Sequence, residues 1–253
     1  MTLTNLKKEI KSLANPIYAK NLAWFFKTRE GEYGEGDKFL GLQVPVCRTV
    51  AKKYITMELA GVSKLIQSKY HEERLIALLI LVEKYKRLDK PDKSPEGKRF
   101  QKSAEAEKTK IYKFYLANTK WVNNWDLVDL SCHHIVGAYL ISHHDQDKAK
   151  VLIKLAKSKN LWERRIAIIS TFEFIKEADF TTSMNLAEIL LHDTHDLIHK
   201  AVGWMLREVG KRSITDLTPF LQKHYKTMPR TMLRYAIEKF PEEIRQAYLH
   251  GTI

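Results

Sequence analysis

The sequence predicts an all-α protein, and three observations support this fold class. Apolar residues recur at spacings of three and four along almost the whole chain, as in helices with one buried face. Glycine and proline are scarce, with 10 and 7 residues in a chain of 253, so turn-forming positions are few. Ala, Leu, Lys and Glu, which have high helix propensity, are abundant.

The N-terminal part is predicted to form three helices and one glycine-rich loop. Leu6, Ile10 and Leu13 mark the first helix, which should end near Pro16, and residues 17–26 form the second. The loop at 29–41 lacks the Gly-Lys-Ser/Thr sequence of a phosphate-binding loop. Pro45 suits the first turn of a third helix, VPVCRTVAKKY.

The rest of the chain is predicted to form helical pairs. The predicted pairs are 59–69 with 71–87, 103–118 with 125–142, 148–157 with 161–176, 183–191 with 196–210, and 215–225 with 230–240. The one long polar linker, 89–102, is interpreted as a surface loop of a single domain covering 1–253, because the pairing resumes unchanged after it. The loops at 29–41 and 89–102 are either connections or DNA contacts.

The helical pairs repeat weakly. The segments ERRIAII (163–169), IHKAVGW (198–204) and MLRYAIE (232–238) share a basic residue followed by small or apolar positions, with HEERLIALL (71–79) as a looser copy. The spacing is about 35 residues, which is typical of helical repeats. We therefore predict an α-solenoid of HEAT-like pairs with a concave basic cleft. The alternative is an irregular helical bundle.

Charge favours a polyanionic partner. The chain has 43 Lys plus Arg against 30 Asp plus Glu, a formal charge of +13, which favours nucleic acid as the partner. The alternative is a soluble protein that is simply basic. The longest apolar run, 75–82, is too short for a membrane span, and the N-terminus lacks a signal-peptide pattern, so a cytoplasmic protein is expected. Cys47 and Cys132 form no Cys-x-x-Cys pair and are expected to be buried thiols.

Residues 120–137, KWVNNWDLVDLSCHHIVG, combine a buried pattern with acids and indoles. Trp125 and Asp129 are four residues apart and therefore share one helix face. Asn123 or Asn124 is the expected N-cap, and Asp126 in the first turn favours the helix dipole. The carboxylate of Asp129 lies among apolar neighbours and is costly there unless it is paired. It therefore forms a salt bridge to an arginine of the next pair, or it has a functional role.

Two further tryptophans lie beside cations in later helices. Trp162 and Trp204 have as neighbours Arg164, Arg165, Lys200 and Arg207. A helical tryptophan usually belongs to the core. Together with Trp125 and an acid, however, these residues suggest a lined cleft. In such a cleft indoles attract cations, arginines bind phosphate, and a carboxylate stabilises positive charge.

These segments resemble the AlkD-type alkylpurine DNA glycosylases, which are built of HEAT-like repeats. The resemblance rests on WDLVD (125–129), LWERRIAI (161–168), KAVGWMLREVGK (200–211) and LGLQVP (40–45), and it runs from about residue 40 to residue 240. It implies that Asp129 is the catalytic carboxylate and that Trp125 and Trp204 are the cleft tryptophans. It also implies that Arg165 holds the DNA backbone; Arg164, Lys200 and Arg207 are further candidates for phosphate contact.

The chemistry of the resembled family fits these residues. An N3- or N7-alkylated purine is cationic and already a good leaving group, so one carboxylate can stabilise the oxocarbenium-like sugar and position water. The resemblance implies no base flipping, and the sequence suggests no tight base pocket, so bulky adducts should be tolerated. We predict a monomeric, monofunctional glycosylase that removes 7-methylguanine and 3-methyladenine from duplex DNA in base excision repair. The alternatives are a non-catalytic module for branched or distorted DNA and a protein-binding scaffold.

No metal or cofactor is expected. Histidines cluster at 133–134, at 143–144 with Asp145 and Asp147, and at 192–195 with Asp193, but none of these clusters matches a zinc template. Adjacent histidines on a helix are expected to point to different sides.

Overall fold

The computed structural model describes residues 2–89, 97–143 and 148–253, in which every regular element is helical. An isolated bridge between Lys38 and Tyr70 is the one β feature of this described part. The all-α prediction is therefore confirmed. Contacts divide the chain into two compact units, Met1–Ile135 (unit 1) and Val136–Ile253 (unit 2). That the chain forms a single domain stays a prediction.

Unit 1 contains seven α-helices among its described residues. They are α1 (Leu3–Ser12), α2 (Pro16–Phe25), α3 (Val44–Lys53), α4 (Leu59–Ile66), α5 (His71–Leu88), α6 (Gly97–Ala117) and α7 (Trp125–Asp129), with a 3-10 turn at Thr119–Trp121. The predicted boundary at Pro16 is confirmed, because Asn15 Oδ1 caps α2 by accepting the backbone N–H groups of Ile17 and Tyr18. Residues 97–102, predicted as linker, begin α6, whereas 90–96 lie outside the described residues.

Helix α5 is the core of unit 1. Every residue from position 71 to position 82 is buried, as expected for a helix covered on all sides. It packs against α3 and α4, which confirms the predicted pair of 59–69 with 71–87. Its first turn carries four charged or titratable residues into the interior, namely His71, Glu72, Glu73 and Arg74.

The glycine-rich loop is a packed connection fastened to α5. The carboxylate of Glu72 accepts the backbone N–H groups of Leu40, Gly41 and Leu42 at 2.8, 2.7 and 3.2 Å. Gly41 has φ of +84°, and a Cβ there would lie 2.0 Å from the Asn15 carbonyl oxygen. Only glycine allows this approach between the loop and α2.

The predicted helix 125–142 is interrupted, which corrects the sequence prediction. Helix α7 ends at Asp129, a π-helical turn covers His133–Gly137, and α8 covers Ala138–Ser142. The Ser131 hydroxyl donates to the Leu127 carbonyl. The Tyr115 hydroxyl oxygen lies 3.0 Å from Ser131 Oγ. A serine hydroxyl that bonds to the backbone carbonyl four residues earlier tends to bend a helix. The rings of His133 and His134 are only 3.8 Å apart, so the expectation that they point to different sides is wrong.

Unit 2 continues from α8 with helices that pack in layers. They are α9 (Lys148–Ala156), α10 (Leu161–Ser170), α11 (Phe172–Lys176), α12 (Thr181–Ile189), α13 (Asp196–Gly210), α14 (Ile214–His224), α15 (Arg230–Ala236) and α16 (Glu242–His250). The predicted pairs α9 with α10 and α12 with α13 are confirmed. The predicted helix 161–176 is divided at Thr171. His144, Asp145 and Asp147 lie outside the described residues.

The layers of unit 2 have the order of a solenoid. Helix α9 contacts α12, while α10 contacts α13 and α13 contacts α15, so corresponding helices of successive pairs stack on each other. At Gly203 an added Cβ would lie 2.5 Å from Tyr235 Cβ and 2.6 Å from the Met232 carbonyl oxygen. Glycine therefore permits the close packing of α13 on α15.

Among the helices in residues 2–89, 97–143 and 148–253, none combines the length and the apolar character that a membrane span requires.

Candidate functional site

Unit 1 contains a cavity of about 730 Å³ lined by α2, the segment 39–44, the first turns of α5, and α7. Its walls are strongly aromatic and include Trp24, Phe25, Phe26, Phe39 and Trp125. This size and lining are typical of small-molecule sites. At about 730 Å³ the cavity is much wider than one purine base, so it is not the tight base pocket whose absence the sequence predicts.

The aromatic wall is a stack of rings. The Phe26 ring lies 5.3 Å from Trp125 at 28° and 5.3 Å from Phe39 at 13°. Phe25 meets Trp125 edge-on at 6.0 Å and 71°. These distances and angles are favourable for aromatic pairs. The stack therefore holds the indole of Trp125 in a defined orientation.

Helix α7 places an acid and an indole at this cavity. Trp125 and Asp129 are both half-buried and both line it, in agreement with their predicted common face. Asn124 is the N-cap, and its Oδ1 accepts the Trp125 N–H at 2.8 Å, which settles the choice between Asn123 and Asn124. The described lining includes three carboxylates, those of Glu72, Asp126 and Asp129, and no Lys or Arg.

A buried histidine joins two of the acids of unit 1. The Nε2 atom of His71 lies 2.8 Å from Asp126 Oδ2, and its Nδ1 atom lies 3.1 Å from Asp37 Oδ2. Arg74 donates to the other Asp37 oxygen at 2.5 Å. Burial alone would lower the pKa of His71, but the charges and hydrogen bonds of Asp126 and Asp37 outweigh it and raise the pKa to about 9. Both ring nitrogens are therefore protonated near neutral pH and donate to the two carboxylates.

The pairing with His71 extends the role expected for Asp126. Its position in the first turn of α7 is confirmed, but its carboxylate is also an ionic partner of α5. Sequence reasoning missed His71, Asp37 and the cavity residues of α2. The sequence did contain one indication of His71: it is a titratable residue at the start of a helix, HEERLIALLILV, that is otherwise almost continuously apolar after its first turn.

The predicted cations of unit 2 lie on α10 and α13 and have partners within that unit. Arg164 Nε lies 2.6 Å from Asp193 Oδ2, and Lys200 Nζ lies 2.7 Å from Asp196 Oδ2. Arg207 pairs with Glu238.

Arg165 and the two tryptophans of these helices differ in burial. Arg165 is buried and donates to the Leu197 carbonyl at 2.5 Å, so it ties α10 to the start of α13. Trp204 is half-buried, with its ring 6.2 Å from that of Phe172. Trp162 is buried, so it belongs to the core, which corrects its expected place in a cleft.

The stacking of unit 2 is that of a helical-repeat protein. More specifically, the chain belongs to the DNA alkylation repair enzyme family, because residues 6–240 match that family. A solved structure described as a predicted DNA alkylation repair enzyme from Enterococcus faecalis has the same fold, with a TM-score of 0.65. The comparison covers 90% of this chain and 97% of that chain at 16% identity. No curated protein has a significant match to this sequence.

These findings confirm the family resemblance at the level of DNA alkylation repair and support the α-solenoid fold class. A role in the repair of alkylated DNA, and hence contact with DNA, follows from the family.

Proposed function

We propose that the protein is a monofunctional DNA glycosylase that hydrolyses the N-glycosidic bond of cationic N3- or N7-alkylpurines in duplex DNA. The proposal depends chiefly on one observation. In a chain with a formal charge of +13, Asp129 and Trp125 line a cavity whose described lining has three carboxylates and no Lys or Arg. Such a site attracts an organic cation and disfavours a phosphate.

The chemistry assigns a defined role to Asp129. The cationic purine leaves with the electron pair of the glycosidic bond, so no strong acid is required. Positive charge then develops on the sugar, where the Asp129 carboxylate stabilises it. Asp129 also orients the water whose oxygen bonds to C1′, and the water proton passes to the carboxylate or to solvent.

The aromatic wall favours the same substrate. An indole face attracts a nearby cation by about 0.5–2 kcal/mol, depending on desolvation. Trp125 is held beside Asp129 by its stacking on Phe26. A neutral purine gains neither this attraction nor the carboxylate interaction, so selectivity for charged lesions follows. Trp204 is proposed as a second contact to the lesion on the basis of the resemblance described above.

The basic residues of α10 and α13 are proposed as DNA backbone contacts. Lys200 is the most exposed of the four, with 40% of its side chain accessible. Arg164 and Arg207 have carboxylate partners that phosphate oxygens can replace. Arg165 is proposed, on the basis of the resemblance, to hold the DNA backbone; its guanidinium bonds to the Leu197 carbonyl at the start of α13. The scheme uses a single protein chain, without metal or cofactor, and belongs to base excision repair.

The test is release of 7-methylguanine and 3-methyladenine from methylated duplex DNA by the wild type and by Asp129→Asn. The matched control is the acid-to-amide change Glu243→Gln, at an exposed residue of α16. We expect release by the wild type and the control, none by Asp129→Asn, and similar DNA affinity for all three. If Asp129→Asn lost release and affinity equally, the catalytic role would be wrong. DNA binding without release by any of the proteins would favour the non-catalytic DNA-binding alternative.

A further inference from the structure

The buried histidine of unit 1, His71, has no part in the chemistry proposed above. It is 2% exposed, and its two ring nitrogens bond to carboxylates, at 2.8 Å to Asp126 and at 3.1 Å to Asp37. Its ring also stacks on Phe39 at 4.8 Å and 24°, and it lies 4.9 Å from the ring of Phe26. Two hydrogen bonds and two ring contacts therefore hold the imidazole in one orientation.

Helix α7, which carries Asp129, is too short to hold its own position. It has five residues, Trp125–Asp129, and a helix of this length is not stable without tertiary contacts. It packs against α5, and the Asp126 carboxylate joins the two helices. One oxygen of that carboxylate accepts the Leu127 N–H of α7 at 2.8 Å, while the other accepts from His71 of α5. The bond from His71 thus fixes α7 at its first turn.

The titratable and charged groups near His71 are acidic, neutral or already paired. Around the first turn of α5 lie Asp126 and Asp129 of α7, Asp37 of the loop at 29–41, Cys47 of α3, and Glu72 and Arg74 of α5 itself. Glu73 pairs with Lys7 of α1, and Lys108 of α6 pairs with Asp89 after the other end of α5. The cations of α2, α3 and α4 are exposed, namely Lys20, Arg48, Lys52, Lys53 and Lys64.

These surroundings favour the charged form of His71. Burial alone would lower its pKa, but the charges and hydrogen bonds of Asp126 and Asp37 raise the pKa to about 9. Cys47 stays neutral, because burial raises its pKa to about 12. As the pH rises through about 9, His71 loses a proton and one of its two N–H donors. One of the two carboxylates then faces a nitrogen lone pair, which repels it.

We propose that protonated His71 is a positioning residue for hydrolysis of the glycosidic bond. Through Asp126 it sets the place of Asp129 and Trp125 at the wall of the cavity. Both of its N–H groups are engaged, so it transfers no proton to the lesion. A misplacement of a reacting group by about 1 Å can slow a reaction about 100-fold. The inference rests on the proposed glycosylase function for its kinetic test, whereas its structural test is independent of that function.

The structural test measures amide hydrogen exchange of residues 125–131 at neutral pH by mass spectrometry. His71→Gln removes the charge and one donor, so α7 should open more often and exchange about tenfold faster or more. The matched control is Leu78→Ala, which truncates a fully buried residue of the same helix outside the cavity lining and also lowers global stability. Exchange of α7 in the control should stay close to wild type, because a short helix exchanges by local opening.

The kinetic test measures single-turnover release of 7-methylguanine from methylated duplex DNA from neutral to alkaline pH. Spontaneous release is subtracted, and ionisation of the lesion affects every variant alike. Near neutral pH, His71→Gln should lower the rate about tenfold or more, with DNA affinity within about twofold of wild type. The ratio of the wild-type rate to the His71→Gln rate should shrink as the pH rises through about 9.

A second variant keeps the test decisive if His71→Gln does not fold. Asp37→Asn removes one of the two carboxylates that favour the charged imidazole, and Asp37 lies outside the cavity lining. The alkaline fall in rate should therefore move to a lower pH than in wild type. Leu78→Ala should leave the pH of this fall unchanged.

The outcomes separate this inference from the glycosylase function. If the wild type released no base but α7 exchanged faster in His71→Gln alone, the glycosylase would be overturned and the anchoring of α7 kept. Release by the wild type, with equal rates and equal exchange in His71→Gln and Leu78→Ala, would overturn the positioning role and leave the glycosylase in place. Equal losses of rate and DNA affinity would also overturn it, since His71 would then support binding. An alkaline fall at the same pH in Asp37→Asn and wild type would overturn the requirement for a charged His71.

Discussion

His71 donates from Nε2 to Asp126 Oδ2 over 2.8 Å in the interior of unit 1. Asp126 lies one residue after Trp125 and three before Asp129, so this bond joins the first turn of α5 to the helix that carries the proposed catalytic acid. The second nitrogen of the same ring bonds to Asp37. A buried ion pair of this kind is costly to break from one side, because the remaining charge loses its partner.

The first prediction concerns the pH dependence of folding. His71 has a pKa raised to about 9 in the folded protein, against an ordinary value of 6.5. Its contribution to stability is therefore fully present below about pH 6.5 and is lost as pH rises through about 9. We expect His71→Gln to lower the free energy of unfolding by about 3 kcal/mol near pH 6.5, where His71 is charged in the folded protein. The difference from wild type should shrink as pH rises, as measured by urea unfolding at each pH. A difference independent of pH would show that packing, not charge, is what His71 supplies.

The second prediction concerns DNA affinity and salt. Lys200→Glu should weaken binding to duplex DNA and reduce the slope of log K against log salt by about 1 or more, because at least one phosphate contact is lost. The control is Lys223→Glu, which changes net charge equally at the exposed pair between Lys223 of α14 and Glu188 of α12. Binding measured by fluorescence anisotropy over a salt series separates the two. Identical slopes for both variants would assign the effect to net charge alone.

The third prediction concerns Arg165. Its side chain is buried and donates to the Leu197 carbonyl, so Arg165→Ala should lower the free energy of unfolding by about 1–3 kcal/mol. The exposed Arg234→Ala on α15 is the control and should change stability by less than about 0.5 kcal/mol. Thermal and urea unfolding test this. If Arg165→Ala were as stable as wild type yet weak in DNA binding, a direct phosphate contact would explain it better than a tie between helices.

The fourth prediction compares two glycines with the same backbone conformation. Gly41 and Gly36 have φ of +84° and +83°, but an added Cβ meets the Asn15 carbonyl at 2.0 Å in the first case and nothing within 4 Å in the second. Gly36→Ala should cost about 1 kcal/mol of stability from the positive φ alone. Gly41→Ala should cost clearly more and should also slow release of 7-methylguanine, because it displaces the loop that carries Phe39, whose ring stacks on Phe26. Equal destabilisation by the two changes would show that the close approach at Gly41 relaxes easily.

Local features of the site followed from the sequence, while its long-range pairings did not. The N-cap, which the sequence limits to Asn123 or Asn124, and the common face of Trp125 and Asp129 depend on residues close together in the chain, so local helical geometry predicts them. The His71–Asp126 bond joins residues 55 apart, and no periodicity encodes such a pairing. The π-helical turn after α7 also depends on tertiary structure, since Tyr115 from α6 contacts Ser131.

The sequence also could not predict which of the basic side chains are buried. Arg164 and Arg165 are adjacent and chemically identical, yet one forms an ion pair with Asp193 and the other is buried against a backbone carbonyl. Their difference arises from the position of α13 against α10. The exposed rings of Trp24 and Phe25 were equally ambiguous, because a helix with aromatic residues normally buries them.

His71 and Glu72 are consecutive, and each fastens a different wall of the cavity. His71 holds α7 through Asp126, and Glu72 holds the segment 40–42 through three backbone N–H groups. Neighbouring residues on a helix point in directions about 100° apart. The directions in which His71 holds α7 and Glu72 holds the segment 40–42 are therefore fixed relative to each other by the geometry of α5. The spacing between these two walls of the cavity therefore depends on which residues occupy the first turn of α5. Shifting the start of α5 by one residue would turn both anchors together, and neither wall could be rebuilt independently of the other.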